Sequence, residues 1–487
     1  MKKMSIMLAV TLIFSMVLAP LASALPVVRA GNDSVPSEAD GWVWVGTAEE
    51  LAYINRNQAS YLDRNIRLTG DIDMTGYDWL PIADEATVFS GIFDGRGHRI
   101  KGLTIEGGSL QYVGFFGRVS GTIRNLGISA QVNGGSYAGG LVGHLLGGSI
   151  INSHSQGSVT SGNITGYGGV SVAGGLAGAA NGDSTILRSS SSAAVKSGDA
   201  SNQYAGGLVG AQGAGSINES YATGRITNTA GDHFFFGGGL AGQLIYGTIA
   251  NSYSSTAVMQ SGSVTYYTVG GFIGILTYAS INASYYDNTV SAQTTGVGVG
   301  DNMGAPHLTG LTSDDMKAAS NYGGWDFANT WAIDAGVNGG YPYQRPGILT
   351  TDLPRAVKDV PYSIAIDAFD GAREGLAWSA SGLPDGLSMT AYGTIEGRPT
   401  LSGEFPVTVS ATDASSRREE SCSRARIPSG RPGAGASSIT FWLRRWIEQS
   451  RSPMTAIRPV PSPKTCTSTC RAGRTRRSRN TPADPKL

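Results

Sequence analysis

Cysteine is almost missing from this chain. There are three in 487 residues, Cys422, Cys466 and Cys470, all beyond residue 416. Everything before that point uses neither disulfides nor cysteine-held metal. Charge is thin too, at 15% of residues. The five histidines (His98, His144, His154, His233, His307) are scattered and none forms an HExxH pair, which excludes that zinc-peptidase helix. There is no G-x-S-x-G elbow and no Walker A loop. Gly237–Gly242 matches G-x-G-x-x-G, but without the strand–helix setting that a dinucleotide site requires. After the first twenty-odd residues no apolar run is long enough to span a bilayer.

What is abundant is glycine, 70 residues, roughly twice the usual share. The formal net charge of zero hides a split: residues 417–487 carry 16 of the 36 Lys/Arg and 4 of the 36 Asp/Glu, leaving 20 against 32, a net of about −12, on the rest. At the N-terminus Lys2 and Lys3 precede an apolar run broken by Pro20, and Ala22-Ser23-Ala24 fits a cleavage site. Residues 1–24 therefore read as a signal peptide, and the mature chain as secreted, extracellular or at the cell surface.

The glycine belongs to a repeat. YAGGLVGAQGAGSINESYATGRIT (Tyr204–Thr227) has near copies in YAGGLVGHLLGGSIINSHSQGSVT and FGGGLAGQLIYGTIANSYSSTAVM. Aligned, six copies give three ladders: Phe115, Leu141, Leu176, Leu208, Leu240, Phe272; then Ile123, Ile150, Ile186, Ile217, Ile249, Ile281; then Val132, Val159, Val195, Ile226, Val258, Val290. The copy-to-copy period is 26 to 35 residues, and 32 for the last three steps. Such a period marks stacked repeats, and β-branched ladders between Gly/Ser/Asn clusters mark short strands and turns. Three strands per copy predict one coil of a right-handed parallel β-helix, an all-β fold. Glycine at the coil corners would tolerate both positive φ and the crowding of neighbouring coils.

These residues resemble the GLUG repeat family of bacterial surface proteins, over roughly residues 90 to 291. The flanks resemble the modules that open and close such solenoids: DIDMTGYDWLPI and FSGIFDGRGHRIKGLTI before, LTSDDMKAASNYGGWDFANTWAI and YPYQRP after. Residues 25–110 are expected to form an N-terminal cap and first coil, 111–291 the β-helix, and 292–347 a C-terminal cap. Thr47–Glu50 reads as a capping box opening a helix, and Thr312 with Asp315 starts a second. GLUG repeats also accompany a zinc peptidase domain in immunoglobulin A proteases; the motif of such a domain is missing here.

After Pro346, short alternating runs between Gly/Pro turns predict a small β-sandwich. It resembles an Ig-like, cadherin-related family in Pro361-Tyr362-Ser363, Trp378 with Gly382-Leu383-Pro384, Thr394–Gly397 and Val407–Asp413. The resemblance implies calcium between modules in some relatives, and here Asp413 alone sits at a matching position. The domain reads as 348–416 and incomplete, because a last strand is due where the chain turns to RREESCSRARIPSG. Residues 417–487 read as a basic, disordered, low-complexity tail. A shifted reading frame would explain the interrupted sandwich, the charge reversal and the cysteines together; a tail binding anionic polymer is the other reading.

Between the Val and Leu ladders the spacing varies, 9, 17, 13, 14 and 14 residues, which predicts loops on one side of the solenoid. They carry Tyr167, Tyr204, Phe234, Phe235, Tyr266 and Tyr267, candidates for stacking on a glycan, a cell-wall polymer or a host or matrix protein. A second line, Tyr221, Tyr253, Tyr285, reads as a structural ladder. Asp71, Asp73, Asp78 and Asp94 read as turn and cap residues, not as the paired carboxylates of glycoside cleavage. The function these features imply is adhesion or glycan/matrix binding on a non-catalytic scaffold. The alternatives are a polysaccharide-active β-helix lyase or hydrolase, and the non-catalytic repeat region of a larger cell-wall or peptidase protein. No nucleic-acid partner and no cofactor other than calcium is implied.

Overall fold

The computed structural model describes residues 34–413 and 436–443, apart from 40, 165–167, 230–233, 260–265, 301–306, 346, 349, 351–352, 367, 370–375 and 392. Residues 1–24, expected to be a signal peptide, and most of the basic tail, with all three cysteines, lie outside the described residues.

The repeats wind into a parallel β-helix. Each coil has four strand positions, not the three expected. In the fourth coil they are Asn202–Gly206, Val209–Gln212, Gly215–Asn218, and Tyr221–Ala222 continued by Arg225–Thr227. Equivalent strands of successive coils pair in parallel, giving sheets of six, seven, ten and twelve strands. The extra strand is the one leading into Gly-Gly-Leu: segments read as loops contain Tyr137–Gly139, Val170–Gly174, Asn202–Gly206, Phe234–Gly238 and Tyr266–Gly270. The connection ahead of each varies most in length.

The ladders hold in register. Ile123, Ile150, Ile186, Ile217, Ile249 and Ile281 pair coil to coil and are buried, as are all six members of the Phe/Leu ladder. Together they form one continuous core. The third ladder holds through Val258, but Val290 is 37% exposed. Asp287 accepts hydrogen bonds from the amides of Thr289 and Val290 (2.9 and 2.8 Å), capping a helical turn, Asn288–Ser291, that ends the strand pattern.

The opening segment adds rungs: Trp42–Val45, Asn65–Leu68 and Ile92–Asp94 continue the isoleucine sheet. The helix Ala48–Arg56 has the expected capping box. Thr312 Oγ1 likewise accepts from the Asp315 amide at 3.2 Å, opening a 3-10 turn. Residues 312–345 do more than close an end. Met316, Tyr322, Trp325 and Trp331 lie against the stacked Tyr221, Tyr253 and Tyr285 and bury them, as a structural ladder requires. Tyr253 donates to the Pro342 carbonyl (2.7 Å) and Gln344 to that of Glu219 (2.7 Å).

The Ig-like region has two three-stranded antiparallel sheets around Ile348, Ile366, Ile395, Val407, Val409 and Ala411. Phe405–Asp413 is the middle strand of its sheet: Ala436–Leu443, inside the tail, pairs with it from Phe405↔Leu443 to Thr412↔Ala436. Against the expectation of an incomplete domain, a strand of the tail continues the sheet.

Candidate functional site

The first and second strands of each coil meet at the Gly-Gly-Leu corner. Alternation along a strand sends neighbouring side chains to opposite faces. In the first strands Ser171, Gln203 and Phe235 are fully buried while Asn202 is partly exposed and Phe234 exposed. Outward residues of both strands share one surface: Tyr137 of the first strand stacks on His144 of the second, centroids 5.9 Å apart.

Of the candidate residues, Tyr204, Phe234 and Tyr266 lie on this outer face. With Phe236, which the sequence reading did not single out, they form a continuous stack. Tyr204–Phe236 are 5.2 Å apart, Phe236–Phe234 6.4 Å and Phe234–Tyr266 4.5 Å, the planes within 16°. Phe234 and Tyr266 are 42% and 57% exposed. Phe235 is a correction. It is fully buried with Val195, Ile226 and Val258 in a second core compartment, and Tyr267 packs partly buried against it. Both occupy the inward column, because one step along a strand reverses the face. Tyr167 lies outside the described residues. The alternation was present in Phe234-Phe235-Phe236, but treating the segment as loop concealed it.

Where the stack meets the second strands a cavity of about 320 Å³ opens on the surface. Tyr137, Tyr204 and Tyr246 wall it, and Val172 and Ala179 are its buried lining residues, with Ala211 partly exposed beside them. The small residues create the space: Val172 pairs in register with Tyr137 on one side and Tyr204 on the other. Asn181 and Gln243 bring amides to it. Among the described residues, no carboxylate, lysine or arginine lines it. Burial pushes the phenols of Tyr137 and Tyr204 up from their ordinary value, so both stay neutral. Next to the cavity, Asn181 Nδ2 donates to His144 Nε2 (2.9 Å). Burial, then the charge of Arg118, pulls His144 down to about 4, so it too is neutral at pH 7. Tyr246 and Tyr278, also missed in the sequence, are 67% and 70% exposed and stack on each other at 5.4 Å.

Of Asp71, Asp73, Asp78 and Asp94, three are held by local partners. Asp94, nearly buried, pairs with Arg124 (2.8 Å) and accepts from Asn125 (3.0 Å). Asp71 accepts from the Arg99 amide (3.0 Å), with His98 at 3.5 Å, and Asp73 binds Thr75 and lies 3.7 Å from Lys101. Among the described residues no group of three or more His, Cys, Asp or Glu could hold a metal ion, and no helix is long and apolar enough to cross a membrane.

Comparison with known families assigns the repeat. Residues 134–160 and 201–227, the second and fourth coils, match the GLUG motif. These two coils are GLUG motifs. Residues 345–424 match the family described as "Putative Ig domain". Among curated proteins, a "Putative Gly-rich membrane protein" of Evansella cellulosilytica is 35% identical over 97 residues, 20% of this chain and 11% of that protein. Halomucin of Haloquadratum walsbyi is 33% identical over 159 residues, 30% of this chain and 2% of that one. The chain thus spans a small part of either relative. Among solved structures, a "putative immunoglobulin A1 protease" from Bacteroides ovatus aligns with a TM-score of 0.47 at 24% identity, covering 62% of this chain and 91% of that one.

Proposed function

We propose that this is a cell-surface repeat protein whose GLUG solenoid binds a glycan on its outer aromatic face, without catalysis. One observation carries the reading: Tyr204, Phe236, Phe234 and Tyr266 form a stacked row on the solvent side, beside an uncharged cavity of about 320 Å³. Rings needed only for packing would be covered, as Tyr221, Tyr253 and Tyr285 are. Flat apolar faces with amides beside them suit the faces and hydroxyls of a sugar. The surface setting is supported by the relatives, named a Gly-rich membrane protein and a halomucin, and by the signal-peptide pattern of residues 1–24.

The test is binding to an immobilised polysaccharide panel by the parent and by Phe234→Ser/Tyr266→Ser. The variant should fold as the parent does and bind about tenfold or more weakly, which is ~1.4 kcal/mol. Equal binding by the two on every glycan retained by the parent would remove the reading.

A further inference from the structure

The second strand ends in a left-handed turn. In the second and third coils glycine follows the strand's last outward residue: Gly147 (φ 71°) after Leu146 and Gly182 (φ 67°) after Asn181. The register is continuous, Leu146 pairing with Asn181 and, further along, Ile245 with Thr277. In the fifth and sixth coils the residue at that turn is a tyrosine, Tyr246 (φ 56°) and Tyr278 (φ 50°). A bulky side chain is rarely held at such an angle, because its Cβ crowds the following carbonyl.

The Tyr246 amide donates to the Thr277 carbonyl of the next coil (3.1 Å), as Gly147 does to Asn181 (2.8 Å), so the turn needs no ring to hold it. The two rings are 67% and 70% exposed and touch chiefly each other, 5.4 Å apart with planes 10° from parallel. Positive φ alone marks no function, since Arg188, Glu219 and Ala283 hold it at another corner; two large rings left exposed and stacked at such a turn are what point to use. The place of the rings says what the use is. Tyr246 lines the same cavity as Tyr137 and Tyr204, from the second-strand side. Two aromatic rows therefore run along the stacking direction: Tyr204, Phe236, Phe234 and Tyr266 on one side, Tyr246 and Tyr278 on the other. Gln243, Ile245 and Ala211 line the cavity with them.

We infer that Tyr246 and Tyr278 are the second wall of a cleft that holds a linear, uncharged glycan with its long axis along the solenoid. This deepens the proposed function and rests on it. The chain direction follows from the coil-to-coil steps Tyr204–Phe236, Phe234–Tyr266 and Tyr246–Tyr278, at about 4.8 Å each, with Phe236 and Phe234 joined along one strand. The absence of charge follows from the lining, in which only phenols, amides and apolar groups occur among the described residues. An acidic polysaccharide would find no cation there, and a branched one would collide with a wall.

The experiment compares Tyr246→Gly/Tyr278→Gly with the parent and with Phe234→Ser/Tyr266→Ser. The probes are a linear neutral β-glucan hexaose, a branched neutral glucan and a polygalacturonate; thermal midpoint and affinity are both read. The glycine variant should melt at or above the parent, since the turn favours glycine, yet bind the linear neutral probe at least about tenfold more weakly. Parent binding should hardly change with salt, because no ion pair forms. A lower melting point in the glycine variant would make the rings structural and overturn the inference, as would undiminished binding. Preference for polygalacturonate, with steep salt dependence, would overturn the uncharged ligand, and preference for the branched glucan the linear one. If the serine variant alone loses binding, this inference fails while the proposed function stands; if the parent binds no glycan, both fail.

Discussion

A glycine can be demanded by backbone angle or by space, and in this solenoid the two demands fall at different positions. At the Gly-Gly-Leu corner the demand is space. A Cβ on Gly174, Gly206 or Gly238 would sit 1.8 Å from the carbonyl oxygen of Ala177, Val209 or Ala241, and none of the three is among the positive-φ residues. The corner after the isoleucine ladder does need positive φ, yet carries Asn125, Asn152, Arg188, Glu219, Asn251 and Ala283 at φ 40° to 54°. The expectation that glycine serves both needs at each corner is therefore corrected. Gly206→Ala should cost about 3 kcal/mol or more, since the clash is with backbone. Gly70→Ala, whose Cβ would meet nothing within 4 Å, should stay within about 1 kcal/mol of the parent; urea unfolding of the two checks this. His144 supplies a pH test. Its pKa is lowered from 6.5 to about 4, by burial first and Arg118 second. Between those values the unfolded chain takes up a proton that the folded chain refuses, so stability falls as pH drops from about 6.5 toward 4. His144→Asn should flatten that limb, and an NMR titration of the parent should place the imidazole near 4.

At the scale of the element, the coil is held by a device that looks like turn filler in the sequence. Ser153, Ser189, Ser220, Ser252 and Ser284 are all buried. Each hydroxyl donates to the carbonyl two residues back, as Ser220 does to Asn218 at 2.8 Å. Each accepts an amide from the equivalent position one coil earlier: that of a serine in four cases, as Ser220 does from Ser189 at 3.1 Å, and that of Leu126 for Ser153. The ladder bridges coils where the chain bends out of the isoleucine sheet. Ser220→Ala would leave a buried amide without that acceptor and should cost about 1–3 kcal/mol, where an exposed serine would cost almost nothing; denaturant titration with an exposed Ser→Ala control decides. The apolar ladders were legible because their residues do one thing, fill a core, at a fixed period. The serine ladder was not, because serine is equally at home in an exposed turn. The first strand was hidden for a related reason: it ends in the glycines that its corner needs, and glycine reads as loop. The tyrosine ladder was legible as structure, but its cover was not. Residues 312–345 reach it by contacts far apart in sequence, such as Tyr341 to Asp287 (2.6 Å) and Trp325 to Ala283 (2.8 Å). Trp331→Ala should expose the ladder, raising dye binding and protease cleavage within 312–345, at a cost of about 3–5 kcal/mol.

At the scale of the whole molecule, the two β structures are stabilised on different principles, and one deletion should separate them. A solenoid coil depends on the coils beside it, so loss of a distant segment leaves it unchanged. A small sandwich has one core and few strands, so each strand matters. In the Ig-like domain, Phe405–Asp413 pairs with Leu376–Ser381 on one side and with Ala436–Leu443 on the other. The second partner comes from the basic stretch 417–487, read in the sequence as strandless because its composition changes so abruptly. Ending the chain after Ser416 would strip that edge of its partner and leave Phe405–Asp413 open to pairing with other molecules. Two melting transitions are expected from the parent. In the truncated chain the transition assigned to the Ig-like domain should fall by several degrees and the protein should self-associate on warming, while the solenoid transition stays in place. If the reading-frame expectation for 417–487 is right, the natural continuation of the domain is a different strand, encoded in another forward frame after the codon for Ser416. Fusing that segment in place of 417–487 should then raise the Ig-like transition above that of the chain as given. Truncation that moves neither transition would show that Ala436–Leu443 adds nothing to the sheet it pairs with.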